Sequence, residues 1–345
     1  MLRALKLRTL RGLRNCGVFE LCAGSGWRRE RLLILCYHGV SLLDEHLWCP
    51  GLYMSADDFA SRLERIRIGG YNVLPLGEAL KQLQARDLPP RSVVITFDDG
   101  LYDFYARAWP LLMRNSYPAT VYLTTYYSEY NRPIFRLICD YMMWQKRGSV
   151  VDKTIDLRTS ESRAREMKKL DDYVAQHKLS GRDKDQFAMD LAKRLGIDWD
   201  AILGNRILHI MNPEEASQLS RAGIDLQLHT HRHRTPTDEA SFRRELDDNA
   251  VRLRAITGHA PTHFCYPSGI HYPDYPDWLR KWGAASAVTC EAGLARAGDD
   301  AMLLPRVCDY TGVTEVEFEA WLSGAMRWMP KRRTNANREE PHPEP

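Results

Sequence analysis

The eight cysteines of the sequence include no C-x-x-C pair, which argues against a zinc ribbon or a thioredoxin-like redox motif. No stretch approaches the roughly 20 consecutive apolar residues that a transmembrane helix needs. The net charge is only +3, so bulk electrostatics does not favour a nucleic-acid partner. The chain of 345 residues is 44% hydrophobic and 27% charged, which is typical of a globular protein with a sizeable core. Its length permits one large domain with an insertion or two smaller domains.

Acidic residues are missing from the start of the chain, where none occurs before Glu20. Residues 1–30 form a basic N-terminal segment in which helical spacing places Leu2, Leu5, Leu10 and Leu13 on one arc, opposite most of the basic residues. This pattern predicts an amphipathic helix over residues 1–14, which either lies on an anionic membrane surface or docks on the domain. No uninterrupted apolar core follows, so a secretory signal peptide is not indicated.

Four cysteines lie inside or at the edge of apolar runs, where buried free thiols are common: Cys36, Cys265, Cys290 and Cys308. This placement favours a reducing compartment. We therefore expect a cytoplasmic protein, and residues 1–14 are the candidate segment for peripheral contact with the cytoplasmic membrane face.

Short apolar runs alternate with helical stretches from residue 32 to about 125, and again after residue 206. Such alternation predicts βα units and a parallel sheet or barrel over residues 31–325. The alternation is interrupted at about 130–205, where charged residues with helical spacing predict a mostly helical insertion. This insertion would form a lid, a surface for a partner, or a solvated elaboration with no direct role. The polar, proline-containing residues 330–345 are predicted to be a disordered tail.

Polar clusters follow the ends of the predicted strands. They are Asp98-Asp99-Gly100, the histidines from His229 onward, Tyr266-Pro267-Ser268-Gly269, and His38 after the first strand. The carboxyl ends of parallel strands meet at one edge of the sheet, where α/β proteins build their active sites. The coincidence of these positions is more informative than any one cluster alone.

The stretch LHTHRHRTP at residues 228–236 has two interpretations. If it is extended, His229, His231 and His233 point to the same face. If the strand ends at His229 and the chain turns helically, His229 and His233 come together while His231 points away. Thr230 is a candidate to fix such a turn by a local hydrogen bond. Two imidazoles and a carboxylate from Asp98 or Asp99 would form a catalytic zinc site with an open position.

Three motifs occur in order along the chain: ITFDDG at 95–100, H-T-x-x-H at 229–233 and F-x-Y-P-x-G at 264–269, with CYHGV at 36–40 as a lead-in. This combination resembles the polysaccharide deacetylase family (carbohydrate esterase family 4, the NodB homology domain) over roughly residues 32–125 and 206–311. The resemblance implies an α/β fold, a distorted (β/α) barrel that carries the helical insertion.

The resemblance also implies a hydrolase that binds one divalent metal ion, usually zinc. Asp99, His229 and His233 are its implied ligands, and Asp98 is the implied general base that takes a proton from the attacking water. A backbone N–H near Ser268, in the loop Tyr266, Pro267, Ser268 and Gly269, helps to hold the oxyanion. The implied reaction releases acetate from an N-acetylated amino sugar in a polysaccharide, an oligosaccharide or a lipid-linked glycan. His231 falls on an unmatched position and is assigned a structural role or one in supporting the metal ligands.

The sequence departs from the family pattern in two places. Cys265 stands where many members carry an arginine that orients the catalytic aspartate, and no late Leu-x-His motif supplies the histidine that protonates the leaving amine. His38 is our candidate for this general acid, although it also suits a loop hydrogen bond or substrate binding. The alternative is a catalytically degenerate, sugar-binding member of the family. A glycosidase is disfavoured, because adjacent Asp98 and Asp99 do not suit its separated carboxylates.

Overall fold

Thirteen strands and sixteen α-helices lie within residues 2–329, which are the residues that this computed structural model describes. The tail predicted at 330–345 lies outside them. The strands are β1 (Arg31–Tyr37), β2 (Gly39–Val40), β3 (Tyr53–Met54), β4 (Asn72–Val73), β5 (Ser92–Phe97), β6 (Thr120–Leu123), β7 (Val150–Val151), β8 (Ile155–Asp156), β9 (Asp225–Leu228), β10 (His263–Cys265), β11 (Ser286–Val288), β12 (Ala295–Arg296) and β13 (Val307–Cys308).

The helices surround the strands, and their bounds are as follows: α1 (Leu2–Asn15), α2 (Val18–Ala23), α3 (Gly26–Arg29), α4 (Glu45–Trp48), α5 (Ala56–Ile68), α6 (Leu76–Ala85), α7 (Trp109–Arg114), α8 (Thr125–Tyr130), α9 (Phe135–Gln145), α10 (Ser160–His177), α11 (Gly181–Leu195), α12 (Trp199–Gly204), α13 (Pro213–Arg221), α14 (Glu239–Thr257), α15 (Tyr275–Trp282) and α16 (Glu315–Ser323). A π-helical turn at Phe104–Ala108 precedes α7. Tighter 3₁₀ turns span Pro267–Gly269 and Ala325–Trp328.

One curled sheet forms the centre of the molecule. Its order is β11-β10-β9-β6-β5-β1-β12, with β4 beside β5 and β13 beside β1. Every pairing in this sheet is parallel except that of β1 with β12. The long parallel strands β1 and β5 are buried along both faces, as expected when helices cover a sheet whose connections are βα crossovers.

The segment around β13 brings the two edges of the sheet together. Leu304 forms a parallel bridge to Val288 of β11, while Val307 and Cys308 pair with β1. The Leu304 N–H donates to Ala287 O over 3.0 Å, and the Asp309 N–H donates to Cys36 O over 2.9 Å. The sheet therefore closes into a distorted barrel through this short seam.

Side-chain alternation along the strands separates two cores. Leu33, Leu35 and their neighbours on other strands face outward and pack under the helices, in the larger cluster. Leu32 and Ile34 face the barrel interior with Val94 and Leu304, where Leu83 of α6 helps to fill one end. Further along the strands, the positions that face the barrel interior carry polar side chains. The interior is therefore apolar near the amino ends of the strands and polar near their carboxyl ends.

The interval predicted as a mostly helical insertion contains α9 to α12 and a short antiparallel hairpin of β7 and β8. It leaves the barrel after α8 and returns at Ile210, which forms an antiparallel bridge to Leu101 beside the aspartate loop. The Met211 N–H donates to Gly100 O over 2.9 Å. The return segment therefore packs against the loop that carries Asp98 and Asp99.

The N-terminal helix α1 docks on α16. Leu10 is fully buried in a cluster with residues of α2 and α16, and Lys6 forms an ion pair with Glu317 over 2.9 Å. Arg14 lies 3.1 Å from Glu319. The Leu10 side of the helix is thus covered by protein, while Leu5 on another side is 62% exposed. Among the described residues, no helix combines the length and apolarity that crossing a bilayer requires.

Candidate active site

The polar residues that follow the strands converge at one mouth of the barrel. Asp98 follows β5, His229 follows β9, and His38 follows β1. His38 Nε2 lies 3.8 Å from the Asp98 carboxylate, and His229 Nε2 lies 3.1 Å from Asp99 Oδ1. The end of β10 joins them, because the Cys265 carbonyl contacts the His229 ring and the loop Tyr266–Gly269 follows directly. One parallel sheet edge therefore gathers all four polar clusters of the sequence.

Asp99, His229 and His233 form a compact group of potential metal ligands. Asp99 Oδ1 is 3.1 Å from His229 Nε2 and 3.2 Å from His233 Nε2. The two imidazole centroids are 4.9 Å apart. His229 is almost fully buried, whereas Asp99 and His233 are partly open to solvent. One side of the group is therefore enclosed by the protein, and the other side faces solvent.

Left-handed backbone brings this group together. Asp99, Thr230 and His233 adopt φ values of 67°, 59° and 56°, which non-glycine residues rarely adopt. The Thr230 hydroxyl accepts a hydrogen bond from the Arg234 N–H over 3.0 Å and so fixes the turn. The strand ends at Leu228, and the chain then turns so that His229 and His233 come together while His231 points away, as the second interpretation predicted. The turn uses left-handed residues and is not a regular helical turn. Such strain is characteristic of functional sites.

The tautomer of His229 follows from its partners. Its Nδ1 lies 2.9 Å from the Cys265 carbonyl oxygen, which only accepts, so Nδ1 carries the proton and Nε2 presents a lone pair towards Asp99. The His229 backbone N–H donates to Asn249 Oδ1 over 2.9 Å, and Asn249 Nδ2 donates to Leu123 O over 3.0 Å. These bonds hold the ring in the orientation that a metal-ligating histidine needs.

The donor set fits a divalent metal ion. Two neutral imidazole nitrogens and one carboxylate oxygen are the ligand types of catalytic zinc sites, which keep a further position open. Burial raises the pKa of the Asp99 carboxyl, but the His229 and His233 rings, in their protonated form, outweigh burial and hold the pKa well below its ordinary value. A metal cation between the neutral rings would act on Asp99 in the same direction. Asp99 is therefore ionised, as a metal ligand must be.

His231 lies apart from this group. It is buried, and its Nδ1 is 2.9 Å from Thr125 Oγ1. Burial lowers the pKa of the His231 imidazole, which keeps the ring neutral near pH 7. The structure thus separates His231 from its two neighbours in the motif and gives it a packing position.

Asp98 is held by an arginine that sequence reasoning missed. Arg306 Nη1 and Nη2 each lie 2.7 Å from a different oxygen of the Asp98 carboxylate. Arg306 is fully buried, and it also donates to Thr289 O over 2.9 Å and to Thr96 Oγ1 over 3.1 Å. Burial raises the pKa of Asp98, but Arg306 more than offsets this, so the pKa lies below its ordinary value. Two parallel bonds fix the carboxylate in both position and charge.

Arg306 supplies the guanidinium that the family pattern places at the position of Cys265. The Cys265 thiol lies 3.3 Å from Asp98 Oδ2 and 3.1 Å from Arg306 Nη2, so the guanidinium enters the same space from a different strand. In the sequence, the only signal was an arginine in the apolar run LLPRV at residues 303–307. Its alternation with Leu304 places Arg306 inside the barrel, but only closure of the seam brings it to Asp98.

The loop Tyr266–Gly269 follows β10 directly. Tyr266 is buried, and its hydroxyl donates to Met302 O over 2.8 Å. Ser268 is exposed with a φ of 55°, at the corner of the 3₁₀ turn. The Gly269 N–H donates to Tyr266 O over 2.9 Å, and the Ile270 N–H donates to Pro267 O over 3.0 Å. The loop is thus rigidly bonded within itself, with Ser268 at its tip.

Comparison with known proteins agrees with this architecture. The family model described as polysaccharide deacetylase matches residues 85–287, more than half of the chain. The chain therefore belongs to the polysaccharide deacetylase family, as the sequence motifs predicted. No curated protein sequence gives a significant match.

Solved structures share the fold. The Streptococcus pyogenes deacetylase PplD in complex with acetate is 17% identical, with a TM-score of 0.57, covering 85% of this chain and 98% of that one. IcaB from Ammonifex degensii is 20% identical with a TM-score of 0.54, covering 85% and 97%. A de-N-acetylase from Aggregatibacter actinomycetemcomitans is 14% identical with a TM-score of 0.54, covering 84% and 99%. The predicted distorted (β/α) barrel is confirmed.

Proposed function

We propose that this protein is a metal-dependent N-deacetylase that hydrolyses the acetamide of an N-acetylated amino sugar and releases acetate. The observation that carries the proposal is a division of labour between two adjacent carboxylates. Asp99 faces His229 and His233, whereas Asp98 faces Arg306 and stays outside that ligand group. One carboxylate is placed to hold a metal, and the other to handle a proton.

Asp99, His229 and His233 would hold the metal, for which zinc is the best candidate because imidazole and carboxylate ligands in this number suit it. A divalent metal at this position supplies Lewis acidity, which polarises the amide carbonyl and brings the pKa of water towards neutrality. The chain contributes the orientation of these ligands through Asn249 and the Cys265 carbonyl.

Asp98 is proposed as the general base. Its carboxylate is ionised because Arg306 stabilises the charge, and the same two bonds keep it from rotating away from the site. Asp98 accepts the proton of the attacking water as the oxygen bonds to the acetamide carbon. Arg306 is a positioning residue in this account, since it acts through Asp98.

The remaining steps fall to Ser268 and His38. The amides of Gly269 and Ile270 are bonded within their own turn, so we assign the oxyanion donor to the Ser268 N–H at the exposed tip. His38 lies 3.8 Å from Asp98 and is partly open to the mouth of the barrel. We propose that His38 delivers the proton that the amine needs when the carbon–nitrogen bond breaks.

For the substrate, we propose an N-acetylated polysaccharide, oligosaccharide or lipid-linked glycan, handled by a catalytic unit at residues 31–325 with its insertion at 130–205. The lipid-linked form is favoured by the N-terminal helix, whose exposed residues include Leu5, Arg8 and Arg11. These side chains suit peripheral contact with an anionic cytoplasmic membrane face. Fractionation of cells that places the protein in the periplasm or medium would overturn this location.

The test is acetate release from N-acetylglucosamine oligomers by zinc-loaded protein, compared with an Asp98→Ala variant of verified metal content. Release by the wild type that disappears in the variant, with metal retained, supports the deacetylase and the role of Asp98. Binding of the oligomers without acetate release, by protein with metal bound, would instead support the degenerate sugar-binding alternative. Arg306 weakens that alternative, because it restores the carboxylate orientation that Cys265 alone could not provide.

A further inference from the structure

Four thiols surround the buried Asp98–Arg306 pair. The sulfurs of Cys36 and Cys265 lie 3.5 Å and 3.3 Å from Asp98 Oδ2. Arg306 Nη2 lies 3.1 Å from Cys265 Sγ and 3.7 Å from Cys290 Sγ. Cys308 completes the set, because it pairs in register with Cys36 across the barrel seam. Half of the cysteines of the chain thus collect around one ion pair.

Cys290 is the most exposed residue of this set. The residue is exposed, Cys308 is partly exposed, and Cys36 and Cys265 are fully buried. The Cys290 side chain interacts with the neighbouring side chains of Cys308 and Cys36. All of these cysteines are free in the structure. A cysteine at an exposed position therefore neighbours two further cysteines, one of which is itself partly exposed.

The neighbouring cation favours the thiolate form of Cys290, because Arg306 Nη2 lies 3.7 Å from the Cys290 sulfur. Hydrogen bonds from the Cys308 and Cys36 thiols, with the Arg306 charge adding to them, hold the pKa of Cys290 below its ordinary value. The contact with Cys290 raises the pKa of Cys308 to about 12, so Cys308 stays a protonated thiol. A thiolate beside a cation, with a thiol in contact, has the arrangement of a reactive cysteine and its resolving partner.

We propose that Cys290 is an oxidative modification site that reacts with peroxides and ends in a disulfide with Cys308. In the first step the Cys290 thiolate attacks hydrogen peroxide, the O–O bond breaks, and Cys290 becomes a sulfenic acid. The hydroxide that leaves takes a proton from solvent and becomes water. In the second step the Cys308 sulfur attacks that sulfur. The S–OH bond breaks, the thiol proton leaves with the hydroxyl as a second water, and the S–S bond forms. The peroxide is reduced, and the two cysteines are oxidised by two electrons.

The pair would lie on either side of the arginine that holds Asp98. The Arg306 N–H donates to Glu291 O over 3.0 Å, and its Nε donates to Thr289 O over 2.9 Å, so the segments around residues 290 and 306 already touch. Cys308 is only two residues beyond Arg306. The disulfide would therefore join two segments that are neighbours in the native barrel.

The experiment treats the full-length protein with hydrogen peroxide and follows free thiols and tryptic peptides by mass spectrometry. Cys16 is the internal control, because it is an exposed cysteine in the turn between α1 and α2. We expect Cys290 to be lost about tenfold or more faster than Cys16, as its thiolate character requires. A cross-linked peptide pair carrying Cys290 and Cys308, two hydrogens lighter than the sum of its parts, should appear and vanish on dithiothreitol treatment.

Two variants test the proposed pairing of Cys290 with Cys308, and a third serves as the control. Cys290→Ser should remove the cross-link, and Cys308→Ser should leave a Cys290 sulfenic acid that dimedone captures. Cys16→Ser should change neither result. Reaction of Cys290 no faster than that of Cys16 would overturn the proposal. So would a cross-link that joins Cys290 to Cys36, or zinc binding that retains Cys290 and Cys308 together and blocks oxidation.

Discussion

Arg306 and Asp98 form a two-bond ion pair inside the barrel, with 2.7 Å separating each guanidinium nitrogen from its carboxylate oxygen. The two residues are more than 200 positions apart and meet only because the segment around β13 closes the sheet. A lysine cannot reproduce the planar fork of this contact, although it keeps the charge. Catalysis should therefore depend on the orientation that this fork gives to the Asp98 carboxylate.

Arg306→Lys should lower kcat/KM for acetate release by about 10- to 100-fold, because a misplaced base loses most of its advantage. Metal content should stay at the wild-type level, since Arg306 does not contact Asp99, His229 or His233. The matched control is Arg280→Lys, which alters an exposed arginine paired with Asp300. Equal activity of both variants would show that the fork is dispensable.

The pH profile of Arg306→Gln tests the electrostatic role of the same residue. In the wild type, burial raises the pKa of Asp98 but Arg306 brings it below its ordinary value of about 3.9. The stabilisation from this pair is fully present above the ordinary pKa and is lost as pH falls through the depressed value. Without the arginine, burial dominates and the pKa of Asp98 rises. The acid limb of kcat/KM should then move to higher pH, and an unmoved limb would refute this assignment.

Substitutions of His229 and His231, which lie in the same loop, should differ in their effect on zinc affinity. His229→Gln should weaken zinc binding by about 100-fold or more, since loss of a ligand exceeds the effect of losing its supporting bonds. His231→Gln should bind zinc normally, because His231 contacts Thr125 and lies outside the ligand group. Equilibrium dialysis with metal analysis measures both variants, with thermal melting to verify folding. Similar losses in the two variants would contradict the ligand set.

Asn249 should strengthen zinc binding, because it holds the proposed ligand His229 in place. Its side chain accepts from the His229 N–H and donates to Leu123 O, and it is fully buried. Asn249→Ala should weaken zinc binding by about 10- to 100-fold and cost about 1–3 kcal/mol of unfolding free energy. Asn115→Ala, which removes an amide-to-carbonyl bond to Leu111 far from the strand ends, should leave zinc binding unchanged. A normal zinc affinity in Asn249→Ala would exclude this support.

His38→Gln tests the proposed general acid. Turnover should fall by about 100-fold or more while metal content stays normal, because general acid catalysis commonly contributes that much. His259→Gln serves as the control, since His259 is an exposed histidine in the loop after α14. Normal turnover in His38→Gln would remove His38 from the reaction and leave it a loop or substrate contact.

The sequence predicted most of the candidate site because strand ends are readable from local patterns. Asp98, Asp99, His229 and His233 follow apolar runs, and parallel topology brings such positions to one edge. The resemblance to the family motifs then implied roles for these residues that spacing alone could not assign. The βα alternation likewise predicted the barrel, since hydrophobic periodicity and turn residues are local properties.

The features of the site that could not be predicted from the sequence depend on closure of the sheet into a barrel and on backbone strain. Arg306 reaches Asp98 only across the seam, and no local pattern announces that contact. The left-handed conformations of Thr230 and His233 oppose their intrinsic preferences and arise from the surrounding structure. The basic helix α1 has an apolar arc that suits a membrane or a protein surface equally, and the contact of Leu10 with α16 became visible only in three dimensions.

The most direct test of the account is acetate release measured against bound zinc while the chelator-treated protein is titrated with metal. We predict that activity rises in proportion to occupancy and saturates at about one zinc per chain, the count expected for a single three-ligand catalytic site. Asp98→Ala should bind the same amount of zinc and release no acetate. Activity that persists without metal, or full activity in Asp98→Ala, would contradict the division of roles between Asp98 and Asp99.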